Sequence, residues 1–245
     1  MSEMRLDKLL SETTAYTRSQ LKQIIKSGRV SVDGTAVTAP ETKIDPTCAL
    51  IELDGERVSY AKFHYFMLNK PAGILSATDD RKQKTVINLF PEEMRRRLFP
   101  VGRLDKDSEG LLLMTNDGEF ANHMTHPSKH IPKTYRVTVR PDVTEDMLTA
   151  FATGMEIDGR ITAPADAHII EKQDNRVVME IVLYEGRNRQ IRKMCESLGL
   201  EVARLKRTSM GSLKLGMLPP GKWRELKEDE VHKLMVSSGM KVNKF

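Results

Sequence analysis

The chain has 245 residues, 39% of them apolar and 30% charged, enough for one large core or two smaller ones. Its net charge is +5 and its two cysteines, Cys48 and Cys195, give no disulfide framework, so a reducing cytoplasm is the expected setting. The charged opening "MSEMRLDKLL" lacks an apolar signal-peptide core, and nothing approaches the roughly 20 apolar residues that span a bilayer, so a soluble protein without a membrane partner is expected.

Taken in chain order, "MRLDKLLSE" predicts a short helix carrying Leu6, Leu9 and Leu10. In "TRSQLKQIIKSGRVSVDGTAV", Thr17 and Gln20 match a capping box that opens a second helix. Leu21, Ile24 and Ile25 form its apolar stripe, while Arg18, Lys22 and Lys26 recur every four residues and put three cations on one exposed face. Gly28 supplies the stop, Arg29 to Val32 alternates as a strand, and Asp33-Gly34 is a hairpin turn signal. Residues 1–60 read as one compact unit. The polar stretch "DGERVSYAKFH" after it, residues 54–64, reads as a linker.

Beyond the linker, "HYFMLNKPAGILSAT" predicts a strand broken at Lys70-Pro71 and then resumed. "KTYRVTVRP" and "RVVMEIVLYEG" are further strands. Helices are predicted over residues 144–153, where Met147, Leu148 and Phe151 share a face, and over 189–198, where Ile191, Met194, Cys195 and Leu198 do. Strands separated by single helices, without a βαβ rhythm, predict an α+β fold. Residues 61–235 would form this second domain and 236–245 a flexible tail.

The acidic stretch Asp105, Asp107 and Glu109 precedes an apolar run, Leu111 to Met114. "DKDSEG" partly matches a calcium loop, but the twelfth position is Asn116 and the ninth is Leu113, so no metal is expected there. Asp107 and Ser108 suit a turn. Asp105, flanked by Val101 and Leu104, is expected half-buried, where a carboxylate needs a partner or a purpose. His123, His126 and His130 lack zinc spacing, since Pro127 interrupts the last two and no Cys or carboxylate completes a set of four, and read as a loop.

Two resemblances give these residues a context. The first 60 residues resemble the small RNA-binding module first recognised in ribosomal small-subunit protein four. That likeness implies phosphate contacts from Arg5, Arg18, Lys22, Lys26 and Arg29. "GRLDKDSEGLLLMTNDG", with "MLNKPAG" before it and "KTYRV" and "EGRNRQIRKMCESLGLEVARLKR" after it, is similar to the ribosomal small-subunit pseudouridine synthase A family. Its details stand nearest the large-subunit pseudouridine synthase F branch.

The family resemblance implies a mostly antiparallel mixed-sheet catalytic domain with flanking helices. It also implies that uridine in ribosomal RNA is isomerised to pseudouridine, with the large-subunit RNA favoured over the small-subunit RNA. The substrate would be that RNA or a ribosomal assembly intermediate, and the protein a monomer. Atoms are conserved in the reaction, so no cofactor and no metal is expected, and the chain carries no P-loop and no GxGxxG. By the same likeness Asp105 is the nucleophile or base, Arg192 the buried, bidentate cation that keeps it ionised, and Tyr135 the platform on which the flipped base stacks. Arg103 would enter the space left by the base or bind the adjoining phosphate, Arg187, Arg189 and Lys193 would touch phosphates, and Lys70 would shape its turn. A rival reading is an RNA-binding assembly factor without catalysis.

Overall fold

The computed structural model describes residues 3–14, 16–46, 48–58, 60 and 63–240, in two compact units, Met1–Phe63 and His64–Phe245. In the first, β1 (Met4–Arg5) runs into α1 (Leu6–Thr13), followed by α2 (Arg18–Lys26). Thr17 and Gln20 make the reciprocal cap at the start of α2. Leu6, Leu9 and Leu10 meet Leu21, Ile24 and Ile25 over Val30, Ile44 and Ile51, which is the core of this unit. Asp7 is fully buried and clamped by Arg5 at 2.9 Å and Arg18 at 3.1 Å. Burial pulls its carboxyl upward, but the two guanidiniums outweigh that and leave it below the usual range.

A four-stranded sheet completes the unit: β2 (Val30–Val32), β3 (Thr35–Ala36), β5 (Ile51–Leu53) and β6 (Glu56–Arg57), while β4 (Lys43–Ile44) pairs with β1. Asp33 and Gly34 both have positive φ, 51° and 78°, as a two-residue hairpin requires. Asp54 and Gly55 repeat that geometry at 54° and 80° between β5 and β6. The start of the expected linker is therefore a hairpin, held by a bidentate Arg29–Asp54 pair.

The second unit is built on one nine-stranded sheet. Its first half comprises β7 (Tyr65–Lys70), β8 (Phe99–Val101), β9 (Glu109–Thr115) and, far along the chain, β17 (Trp223–Glu225). The helices α3 (Glu92–Arg95) and α4 (Gly118–Thr125) belong to the same stretch. Its second half holds β10 (Lys133–Arg140), β13 (Asp166–Gln173), β14 (Arg176–Leu183), β15 (Glu201–Met210) and β16 (Leu213–Lys214). Around it lie α5 (Glu145–Thr153), the hairpin β11 (Glu156–Ile157) and β12 (Arg160–Ile161), α6 (Gln190–Ser197) and α7 (Glu228–Ser237). Every described pairing in this sheet is antiparallel except β9 with β15, which run parallel through Lys206↔Glu109 and Arg207↔Gly110. The α+β, antiparallel-dominated architecture is thus as expected.

β7 and β9 are buried along almost their whole length, because each face has its own core. Phe66, Leu68, Leu112 and Met114 join the cluster that includes Val137, Val139, Phe151 and Met194. Tyr65, Met67, Leu111 and Leu113 join Phe120, Met124, Val231 and Leu234. That explains a continuous apolar run where one-sided strands alternate.

Two expectations need adjusting here. The chain does not resume as a strand after Pro71, which has no N–H to give a ladder; only an isolated bridge, Leu75↔Thr85, forms. At the other end α7 runs to Ser237 and the Met240 amide still bonds Met235, past the start of the expected tail; residues 241–245 lie outside the described residues.

Candidate active site

Asp105 stands in the loop between β8 and β9, and that loop is clamped from below. Lys70, at the end of β7, is 0% exposed and donates to Lys106 O at 3.1 Å, Ser108 O at 2.8 Å and Pro71 O at 3.1 Å. An ammonium has three N–H groups, so this one is fully used. The Gly73 amide donates to Lys106 O at 2.8 Å, Ser76 Oγ donates to Leu104 O at 2.8 Å, and the Leu104 amide returns a bond to Ser76 Oγ at 3.1 Å. The segment after Pro71 spends its polar groups on the Asp105 loop, which is why it adds no strand. Lys70 does shape its own turn, through Pro71 O, and it also braces the carboxylate's loop.

α6 supplies the cations. Its first turn is set by a small network: Gln190 Nε2 donates to Glu185 at 2.8 Å, the Arg187 amide to Gln190 Oε1 at 3.0 Å, and Arg187 Nε to Glu185 at 3.2 Å. Arg189, just before the helix, has φ 51°. That left-handed turn brings its Nη1 to 3.7 Å from Asp105 Oδ2. Arg192 Nε lies 4.0 Å from the same oxygen, and its Nη1 donates to Val202 O at 3.3 Å. Asp105 retains 27% side-chain exposure and Arg192 16%. The expected tight, bidentate Asp105–Arg192 pair is therefore a looser arrangement of one carboxylate facing two guanidiniums, with Arg189 the nearer. Asp105 thus keeps part of its side chain open to a substrate.

A cleft of about 170 Å³ opens over Asp105 and is also lined by Arg103, Lys133, Tyr135, Arg187, Arg189, Ile191 and Arg207. Tyr135, 9% exposed on β10, presents its ring there. Arg103 is exposed at the same opening. The other expected RNA contacts are placed differently. Arg187 bonds Glu185 and the carbonyls of Arg160 and Ile161, and Lys193 pairs with Asp158. In the first unit Arg5, Arg18 and Arg29 already hold carboxylates, whereas Lys22 and Lys26 are exposed and, among the described residues, in no ion pair. His123 faces Ser238 O and His126 faces Ser128, and among the described residues no group of three or more His, Cys, Asp or Glu could hold a metal ion.

Two consequences can be measured. Lys70→Met leaves three loop carbonyls without their donor; it is expected to destabilise the protein by about 2–4 kcal/mol. Single-turnover rate should fall more than RNA affinity, since the loop that positions Asp105 loses its brace. Denaturant unfolding alongside rapid-quench kinetics checks both. Secondly, burial pushes the ammonium of Lys70 down to about 8 against the pull of Asp107, Asp105 and Glu109, and burial with the charge of Arg207 does the same to Lys133, also to about 8. Activity is expected to decline above about pH 8. A lysine whose folded pKa lies below its unfolded value of about 10.4 binds more protons unfolded, so its linkage adds stability as pH rises between the two. The decline is accordingly one of rate, and a pH–rate profile flat to pH 9.5 would contradict it.

Comparison with known proteins agrees with this geometry. The profile of the RNA pseudouridylate synthase family matches residues 64–197, and that of the S4 domain matches residues 4–47. An uncharacterized RNA pseudouridine synthase of Bacillus subtilis is 43% identical over 94% of this chain and 98% of its own length. The ribosomal large subunit pseudouridine synthase B of Bacillus subtilis is 37% identical over 98% of this chain and 99% of its own. It carries the B name, where the motif details pointed to the F branch. A crystal structure of a pseudouridylate synthase, 34% identical, superposes with a TM-score of 0.66 and covers 94% of this chain and 99% of that one. With both matched segments in the expected order, Asp105 inside the larger of them and relatives up to 43% identical over nearly the whole chain, the chain belongs to the RNA pseudouridylate synthase family.

Proposed function

We propose that the chain converts specific uridines of ribosomal RNA, with the large-subunit RNA favoured, into pseudouridine. The observation that carries this reading is the carboxylate of Asp105, partly exposed in a cleft and faced by Arg189 and Arg192. The substrate preference is supported by likeness to a large-subunit synthase across nearly the whole of both chains.

In this reading a target uridine leaves its stack, at a cost of a few kcal/mol, and its base lies against the ring of Tyr135. Arg103 takes the vacated space or the neighbouring phosphate. Asp105, faced by the two guanidiniums, either attacks C1′ or removes the C2′ proton as the base departs. The base turns and rejoins through C5. Residues 1–60, with Lys22 and Lys26 as the freest cations and Arg5, Arg18 and Arg29 beside them, hold the RNA, while 61–235 perform the chemistry. Arg187 and Lys193 serve RNA binding through the segments they brace. The protein acts as a cytoplasmic monomer.

Carbodiimide labelling of ribosomal RNA from cells with and without the protein, read by reverse-transcription stops, tests the reading. A stop in large-subunit RNA that disappears with the gene is expected. An unchanged pattern in both subunit RNAs would sink it.

A further inference from the structure

We propose that Arg207, with Lys133 beside it, donates to a carbonyl oxygen of the flipped uracil and stabilises the negative charge the base gains when its bond to ribose breaks. This rests on the isomerase reading above and adds a catalytic group to it. Arg207 is 3% exposed on β15 and lines the Asp105 cleft. Its Nε donates to Leu111 O at 2.7 Å, but its Nη2 is buried without a hydrogen-bond partner, and among the described residues it forms no ion pair. A buried guanidinium with neither carboxylate nor full hydrogen bonding is costly, and a native site that keeps one is built for something that arrives.

The register says what arrives. Arg207 lies directly opposite Tyr135 across the β10–β15 ladder. Directly opposed residues are about 5 Å apart, so a base stacked on Tyr135 has an edge within reach of Arg207. Lys133, two residues before Tyr135, points to the same side of the strand. Its Nζ donates to Ile131 O at 2.8 Å and, among the described residues, it too has no ion pair. Two cations line one side of the cleft, neither in an ion pair among the described residues, and burial together with the repulsion from Arg207 already depresses the Lys133 ammonium. An anionic base relieves that repulsion.

The electrons balance without a co-reactant. As N1–C1′ breaks, its bonding pair goes to N1 and spreads onto O2 and O4. The ribose side is satisfied by Asp105, through a C1′–O bond or by surrender of the C2′ proton to the carboxylate. When C5 bonds to C1′, the carboxylate leaves or returns that proton, and the C5 proton is lost while N1 gains one. Charge on the base is transient, and donors fixed where it develops act on the transition state more than on the bound substrate.

The test combines a protein change with an atomic change in the RNA. Single-turnover conversion and RNA affinity are measured for the wild type and Arg207→Gln, on a ribosomal RNA fragment carrying uridine, 2-thiouridine or 4-thiouridine at the target. Sulfur is a poor acceptor, yet a thiouracil is the better leaving base, so slowing by sulfur reports a lost donor. The variant is expected to convert uridine about 100-fold more slowly with RNA affinity within about twofold. One thio substitution is expected to slow the wild type about tenfold and not to slow the variant. Conversion by the variant at the wild-type rate, a loss confined to RNA affinity (a phosphate contact), or wild-type conversion of both thio substrates as fast as uridine would each overturn the proposal. Should Arg207→Gln fail to fold, the thio substrates with the wild type decide alone. A wild type that converts no uridine overturns the isomerase reading and this one with it, whereas normal wild-type conversion with an indifferent variant overturns this one only.

Discussion

Asp105→Asn is expected to lower isomerisation by about 10³-fold or more while RNA binding is kept or strengthened. The amide has the shape of the carboxylate but can neither bond to C1′ nor take a proton, so either chemical route stops. Affinity moves the other way for an electrostatic reason. Arg189 and Arg192 lose the carboxylate they face, and a cleft already lined by Arg103, Lys133 and Arg207 becomes more cationic toward phosphate. Filter binding and carbodiimide mapping on the same preparation give the two numbers. A non-catalytic assembly factor would show no change in the modification pattern, so the variant separates the two classes of function as well as testing the residue.

Gly110→Ala should be the most damaging small substitution in the larger unit. Gly110 has φ 102°, and a Cβ there would sit 2.1 Å from the carbonyl oxygen of Arg207 and 2.8 Å from its amide nitrogen. The obstacle is backbone on the neighbouring strand, so no rotamer change relieves it. Positive φ adds its own penalty for a residue with a side chain. Together these predict a loss of about 3–5 kcal/mol, or roughly 10 °C in melting temperature. Gly118→Ala, with nothing within 4 Å of the added carbon, serves as the control and should be near neutral. A Gly110→Ala protein that melts with the wild type would mean that the β9–β15 approach is not as close as described.

How far the sequence reveals this centre depends on what fixes each side chain. Asp105 is legible because an acid set against an apolar run conflicts with burial. The helix bearing Arg192 is legible through its stripe of Ile191, Met194, Cys195 and Leu198. Arg189 is not, because its direction comes from a left-handed residue outside the helical period. Arg207 is hidden for a different reason: in "ARLKRTSM" it looks like one more surface cation, and only the pairing partner 96 residues earlier shows that it is buried. The Asp54-Gly55 hairpin carried the same signal as Asp33-Gly34, including the alternation of Ile51, Glu52 and Leu53 before it, but the polar residues that follow it made the stretch read as a linker. The order of strands was beyond reach, since the β9–β15 register joins residues whose separation no local pattern records.

That seam has a consequence for how the enzyme comes into being. Asp105 sits on one half of the sheet, and Tyr135, Arg189 and Arg192 sit on the other. They are stitched by two parallel residue pairs, the Arg204–Glu109 bridge at 2.8 Å and the Arg207 bond to Leu111. A nascent chain that has not yet made β15 lacks this seam, so the cleft, which Leu205, Arg207 and Met210 help to line, is completed only late in synthesis. Glycosidic cleavage without rejoining would leave an abasic scar in the transcript, and a cleft that lacks one wall until β15 is in place keeps an unfinished chain from starting that reaction.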